Sequence, residues 1–208
     1  MTTANPYLLG VLTRVQALSL LALGAAGMGI LVATAGGAWQ RALLAALFFA
    51  PLWVNAVIDA RSQRLVKAFT HAAAAVLVVV LVLWAFAPDL VAAPWSLNPP
   101  ITEMATPAGV RGALIVILCS ALVGVPLWLS VWLTKGGMIG IGDARLAPVL
   151  AGWCALHSVD HVLIWLAVAL LAQSLYVLVL LAARRTSLKS RHALGPWLIG
   201  AAAVVTLV

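Results

Sequence analysis

Charged residues punctuate this chain, and the apolar stretches between them are long. Uncharged runs cover residues 15–40, 42–58, 68–88, 112–134, 146–159, 161–183 and 192–208. A bilayer crossing needs roughly 20 apolar residues. The runs therefore predict seven transmembrane helices, at about 15–36, 40–59, 68–90, 111–133, 144–157, 160–183 and 192–208. Two are short, 144–157 and 192–208. At about 1.5 Å of rise per residue, the first of these barely crosses a hydrocarbon core of roughly 30 Å. Its end near Asp143 is expected inside the membrane boundary.

Composition gives the same answer. Of 208 residues, 65% are hydrophobic and only 8% charged, where a soluble domain carries about 25% charged residues. The expected fold class is all-α, a polytopic membrane protein. Residues 1–208 are expected to form one integral membrane domain with no separate soluble domain. Two isolated cysteines, Cys119 and Cys154, fall in predicted helices, and the spacing of a metal or redox motif is missing. They read as small buried hydrophobes. The first apolar run is too long for a cleaved signal peptide and reads as a retained span.

The net charge is +7. With the 60–67 connection placed in the cytoplasm and the spans alternating from there, ten of the twelve basic residues fall on the cytoplasmic side. Arg41 and Arg111 are the exceptions. This bias predicts a cytoplasmic N-terminus. It makes the positive charge a topology signal rather than a nucleic-acid footprint, since there is no basic soluble domain to bind one. The longest connection, about 91–110, is broken by prolines and turn residues and is expected outside, along the membrane surface. Trp39, Trp53, Trp84, Trp128, Trp132 and Trp197 fall near predicted span ends, where interfacial anchoring is their expected role.

Chemistry rests on the five acids. Asp89, Glu103 and Asp160 lie on the predicted outer side and read as solvated end charges. Asp59 and Asp143 lie on the cytoplasmic side, each at the end of an apolar run and at comparable depth. An ionisable residue at membrane depth is expensive and points to function. Two carboxylates sharing a site cannot both ionise cheaply, so one holds a proton while the other stays charged. That pairing supplies a base to activate water and an acid to protonate a leaving amine. Asn55 lies four residues before Asp59, on the same helix face. Around Asp143, Gly136, Gly137, Gly140 and Gly142 permit unusual backbone angles and a close approach, as needed by an extended peptide pairing with the backbone. A plain flexible turn is the alternative for the glycines.

The stretch "GGMIGIGDARLAPVLAGW" resembles the Gly-x-Gly-Asp-x-Lys-Leu signature of the type IV prepilin peptidases, which are GxGD intramembrane aspartyl proteases. Arg145 stands where that family usually has Lys. "DARSQRLVKAFT" is similar to the segment that begins at the family's first aspartate: Asp59, Arg61, Leu65 and Thr70 fit, while Val66 and Lys67 replace a usual Pro-Asn. "RHALGPWLIGAA" resembles a third segment near the C-terminus, with Leu194 and Trp197 at its aromatic positions. The resemblance covers roughly residues 40–208. It implies an inner-membrane protease with Asp59 and Asp143 as its catalytic pair, and Gly140, Gly142, Asn55 and Arg145 around the substrate. It further implies cleavage of the leader of a prepilin or pilin-like partner at the cytoplasmic face, without cofactor or metal. The cysteine-motif domain of larger members is missing from this sequence, so no methyltransferase activity is expected.

Three other readings stand beside this one. "HSVDH" places His157 and His161 at i and i+4 beside Asp160, a spacing that can hold zinc. Ser158 replaces the glutamate of the protease motif, and a helix break is expected inside the segment. A small transporter or channel subunit could use Asp59 and Asp143 as proton or cation sites. An inactive family member serving as an assembly subunit is the third.

Overall fold

In lipid every backbone N–H and C=O must be satisfied within the chain, and an apolar sequence meets that demand by winding into helices. The computed structural model describes residues 12–34, 39–87, 109–135, 139–185 and 192–207. They form seven helices: α1 (Arg14–Thr34), α2 (Trp39–Ser62), α3 (Lys67–Phe86), α4 (Val110–Thr134), α5 (Ile141–Ala155), α6 (Val159–Ala182) and α7 (Gly195–Leu207). Among the described residues there is no strand, and the all-α polytopic class is met. The predicted 91–110 connection lies almost wholly outside the described residues, as do Asp89, Glu103, Gly136 and Gly137.

Five of the seven helices, α1 to α4 and α6, are long and apolar enough to cross a membrane. The two short predicted spans are short helices in the structure. With 15 and 13 residues, α5 and α7 extend only about 20 Å each, less than the hydrocarbon thickness. They are held by protein rather than stretched across lipid: α5 packs on α3, α4, α6 and α7, and α7 packs on α1, α2, α5 and α6.

The bundle is built around α2, which packs on α1, α3 and α7. In its most apolar stretch 67% is buried, against 17–28% in the other four long helices. Those outer helices turn large apolar side chains outward, as Leu114, Leu118, Leu122 and Val125 of α4 do. An apolar exterior of this kind faces acyl chains, not water. Inside, Phe48 stacks on Trp153 with ring centroids 4.0 Å apart, and Phe49 meets the same indole edge-on. The Trp165 indole N–H donates to the Leu198 carbonyl at 2.9 Å.

Two tryptophans depart from the expected anchoring role. Trp84 is fully buried in this core. Trp53 lies mid-helix, half-buried, and packs against it. Trp39 and Trp132 are exposed at helix ends. Both cysteines are buried and free.

Candidate functional site

Successive helices pack on one another, so alternate helix ends come together. The C-terminal ends of α2, α4 and α6 and the N-terminal ends of α3, α5 and α7 share one end of the bundle. There Asp59, in the last turn of α2, and Asp143, in the first turn of α5, line a single cavity of about 370 Å³. The two positions are far apart in sequence, so only the packing of α2, α3, α5 and α7 assembles the pair.

Each carboxylate is placed by its neighbours. Asp59 is only 4% exposed and accepts a hydrogen bond from the Gly195 N–H at the start of α7. A methyl group on Gly195 would stand 2.5 Å from Asp59 Oδ2, so α7 approaches this carboxylate only because residue 195 has no side chain. Asp143 is half-buried at the third position of α5, where the N-terminal end of the helix dipole favours a negative group. Asp59 Oδ2 and Asp143 Oδ1 are both buried and accept no hydrogen bond among the described residues. A buried polar atom without a partner costs about 1–3 kcal/mol. Two such oxygens at one cavity fit a place where water or a substrate group completes the bonding.

Of the glycines beside Asp143, Gly140 and Gly142 lie among the described residues. Gly140 caps α5 with an ordinary φ of −66°, and Gly142 lies inside the helix. Neither uses a glycine-only backbone angle; Gly140 is extended and Gly142 is helical. Their contribution is space. A Cβ on Gly142 would stand 2.8 Å from Leu65 Cβ, and one on Gly140 would stand 3.1 Å from Asp143 Oδ2. Without these side chains α5 seats against the link between α2 and α3.

Asn55 does not line the cavity. It is fully buried and ties that link down: its Oδ1 accepts from the Val66 N–H at 2.7 Å, and its Nδ2 donates to Thr70 Oγ1 at 3.2 Å. The link itself turns at Gln63, which takes a left-handed φ of 54° after α2 ends. Arg145 does line the cavity, and its guanidinium lies 5.7 Å from the centre of the Trp128 ring, within cation–π range.

Gln63, Arg64, Leu65, Lys67 and Thr70 also line the cavity, as do Gly140, Ile141 and Gly142. Gly195 and Arg64 are not among the site residues expected from sequence. The signal for Gly195 is the Gly-Pro pair opening the last apolar run; the signal for Arg64 is its place five residues after Asp59.

At the opposite end of the bundle "HSVDH" is a helix junction. Ser158 caps α6, its Oγ accepting from the His161 N–H at 3.3 Å and lying 2.6 Å from His161 Nδ1. The break between α5 and α6 splits the motif, and no metal-holding group of side chains occurs among the described residues.

Comparison with family models, with curated proteins and with solved structures gives no match.

Proposed function

We propose that this protein is an intramembrane aspartyl endopeptidase whose catalytic pair is Asp59 and Asp143. The observation that carries the reading is the pair itself: two carboxylates from distant segments, each with a buried oxygen lacking a hydrogen-bond partner among the described residues, lining one cavity. One proton shared between two close carboxylates gives one acid and one base. The ionised member takes a proton from water, and the water oxygen attacks the peptide carbonyl carbon. The protonated member passes its proton to the amide nitrogen as the tetrahedral intermediate collapses and the C–N bond breaks. Products are a carboxylic acid and an amine, which ionise on release, and the pair again holds one proton, now on the other member, so no net proton is gained or lost by it.

The substrate class follows from the resemblance of the Asp59, Asp143 and Gly195 segments to prepilin peptidases: the leader of a prepilin or pilin-like protein. The excess of Lys and Arg at the site end of the bundle supports a cytoplasmic orientation in the inner membrane. The test is co-expression with a candidate pilin, following the leader by gel mobility. Wild type should cleave. Asp59→Asn and Asp143→Asn should each lose roughly 100- to 10,000-fold in rate, the range for general acid–base groups, while the thermal midpoint in detergent stays close to wild type. Retained cleavage by either variant would sink the assignment.

A further inference from the structure

Asn55 and Thr70 are joined in a way that leaves one proton over. A backbone N–H only donates, so Asn55 must turn its Oδ1 to the Val66 N–H, 2.7 Å away. That fixes which end of the amide meets Thr70. The Nδ2 donates, at 3.2 Å, and Thr70 Oγ1 accepts. A hydroxyl that accepts still has its own proton to give. Elsewhere in the bundle such protons go to the carbonyl four residues earlier: Ser62 donates to Ile58, Ser130 to Pro126, Thr134 to Ser130 and Thr206 to Ala202. Thr70 makes no such bond, and among the described residues its hydroxyl donates to no acceptor. Yet Thr70 is only 3% exposed and lines the cavity of Asp59 and Asp143.

The other side-chain donors on that wall differ. Gln63 and Arg64 are exposed, and Lys67 and Arg145 are half-buried. A long, solvated side chain has to be ordered before it helps. A buried hydroxyl held by a second residue is already in place, and preorganised donors aimed at developing charge are usually the largest single term in a rate enhancement. Thr70 also stands in the first turn of α3, where the helix end adds positive potential. Asp59 and Asp143 serve as base and acid, which leaves the carbonyl oxygen under attack in need of a donor.

We infer that Thr70 is a further catalytic residue, in a role that rests on the protease reading: its O–H donates to the carbonyl oxygen of the peptide bond being cut, and Asn55 is the positioning residue behind it. As water adds to the carbonyl carbon, the carbonyl π pair moves onto the oxygen. Thr70 keeps its proton and hydrogen-bonds the oxyanion. When the C–N bond breaks, the pair returns to the carbonyl and that hydrogen bond weakens. The interaction is strongest in the transition state, so its loss falls on kcat rather than on KM.

The experiment uses the full chain in detergent and the candidate pilin that wild type cleaves in co-expression, with kcat and KM measured well below the thermal midpoint. Thr70→Val keeps the shape and removes the hydroxyl. It should lose roughly 100- to 1,000-fold in kcat, the range for one oxyanion donor, with KM close to wild type. Thr70→Ser keeps the hydroxyl and should recover most of that loss. Asn55→Ala measures the structural part alone. It strands the Val66 N–H as well as breaking the bond to Thr70, so its thermal midpoint should fall below that of Thr70→Val while its kcat stays above. If Thr70→Val does not fold, Thr70→Ala read against Thr70→Ser makes the same comparison.

A hydroxyl-free variant with kcat no lower than that of Asn55→Ala, a Thr70→Ser variant as slow as the hydroxyl-free one, or a loss confined to KM would overturn the inference and leave the aspartate pair standing. No cleavage of any pilin by wild type would sink the protease reading and this role with it.

Discussion

At Gly195 a missing side chain decides where an oxygen of Asp59 can lie. A Cβ there would stand 2.5 Å from Asp59 Oδ2 and 3.1 Å from Leu65 Cδ2. Gly195→Ala therefore has to displace the carboxylate, and a misplacement near 1 Å costs about 100-fold in a positioned reaction. We expect a loss of that order in kcat. Gly200→Ala, on the same helix with open space where its methyl would go, should cleave as wild type does. Equal activity in the two variants would show that Asp59 tolerates the shift. Gly142→Ala acts on the other aspartate through the backbone. Its methyl meets Leu65 Cβ at 2.8 Å, an atom too close to the main chain to swing aside. Overpacking of this kind costs about 1–3 kcal/mol. Leu65→Ala keeps the offending Cβ and should not restore the thermal midpoint of Gly142→Ala, whereas Leu65→Gly should restore part of it.

Among the elements, the link between α2 and α3 carries the site, and one side chain holds it. Asn55→Ala leaves the Val66 N–H without its acceptor in a buried place, costing about 1–3 kcal/mol. Asn55→Asp keeps an acceptor for Val66 and loses the donor to Thr70, so it should fall between the two in denaturant titration, with cleavage following the same order. This bracket shows what a sequence conveys and what it withholds. The helices are legible because lipid forces every long uncharged run into one, and the observed ends fall within a few residues of most predicted ones. Asp59 and Asp143 are legible because acids are scarce and these two end apolar runs. The role of Asn55 is not: its partners are 11 and 15 residues away, across a turn fixed by the left-handed Gln63. The reach of α7 to Asp59 is equally hidden, since it depends on how two helices distant in sequence pack. For the glycines near Asp143 the sequence offers both backbone freedom and close approach, and at Gly142 the packing uses the second, since a Cβ there would stand 2.8 Å from Leu65 Cβ.

On the scale of the whole molecule, the two ends of α2 do different work. Asp59 lies at one end and Arg41 near the other, 18 residues away, or about 27 Å along the axis. At the far end Arg41 Nη2 donates to the Thr206 carbonyl at 2.7 Å and meets His157 Nε2 at 3.3 Å, which ties α2 to α7 and to the α5–α6 junction. Thr206 is also the acceptor for the Trp153 indole N–H at 3.0 Å, and its hydroxyl donates to the Ala202 carbonyl at 2.7 Å. These bonds fasten the short helices α5 and α7, which lack the length to be held by lipid alone. Thr206→Val should strand the Trp153 N–H in the core and cost about 1–3 kcal/mol, read by denaturant titration in detergent. Adding Trp153→Phe removes the stranded donor, so the double variant should be more stable than the sum of the two single losses predicts. Cleavage measured well below the thermal midpoint should stay within about twofold of wild type in all three variants, since sites this far apart act independently. A large loss of cleavage at full folding would mean that the fastening at the far end sets the position of α7 against Asp59, making the bundle one mechanical unit rather than a site and an anchor.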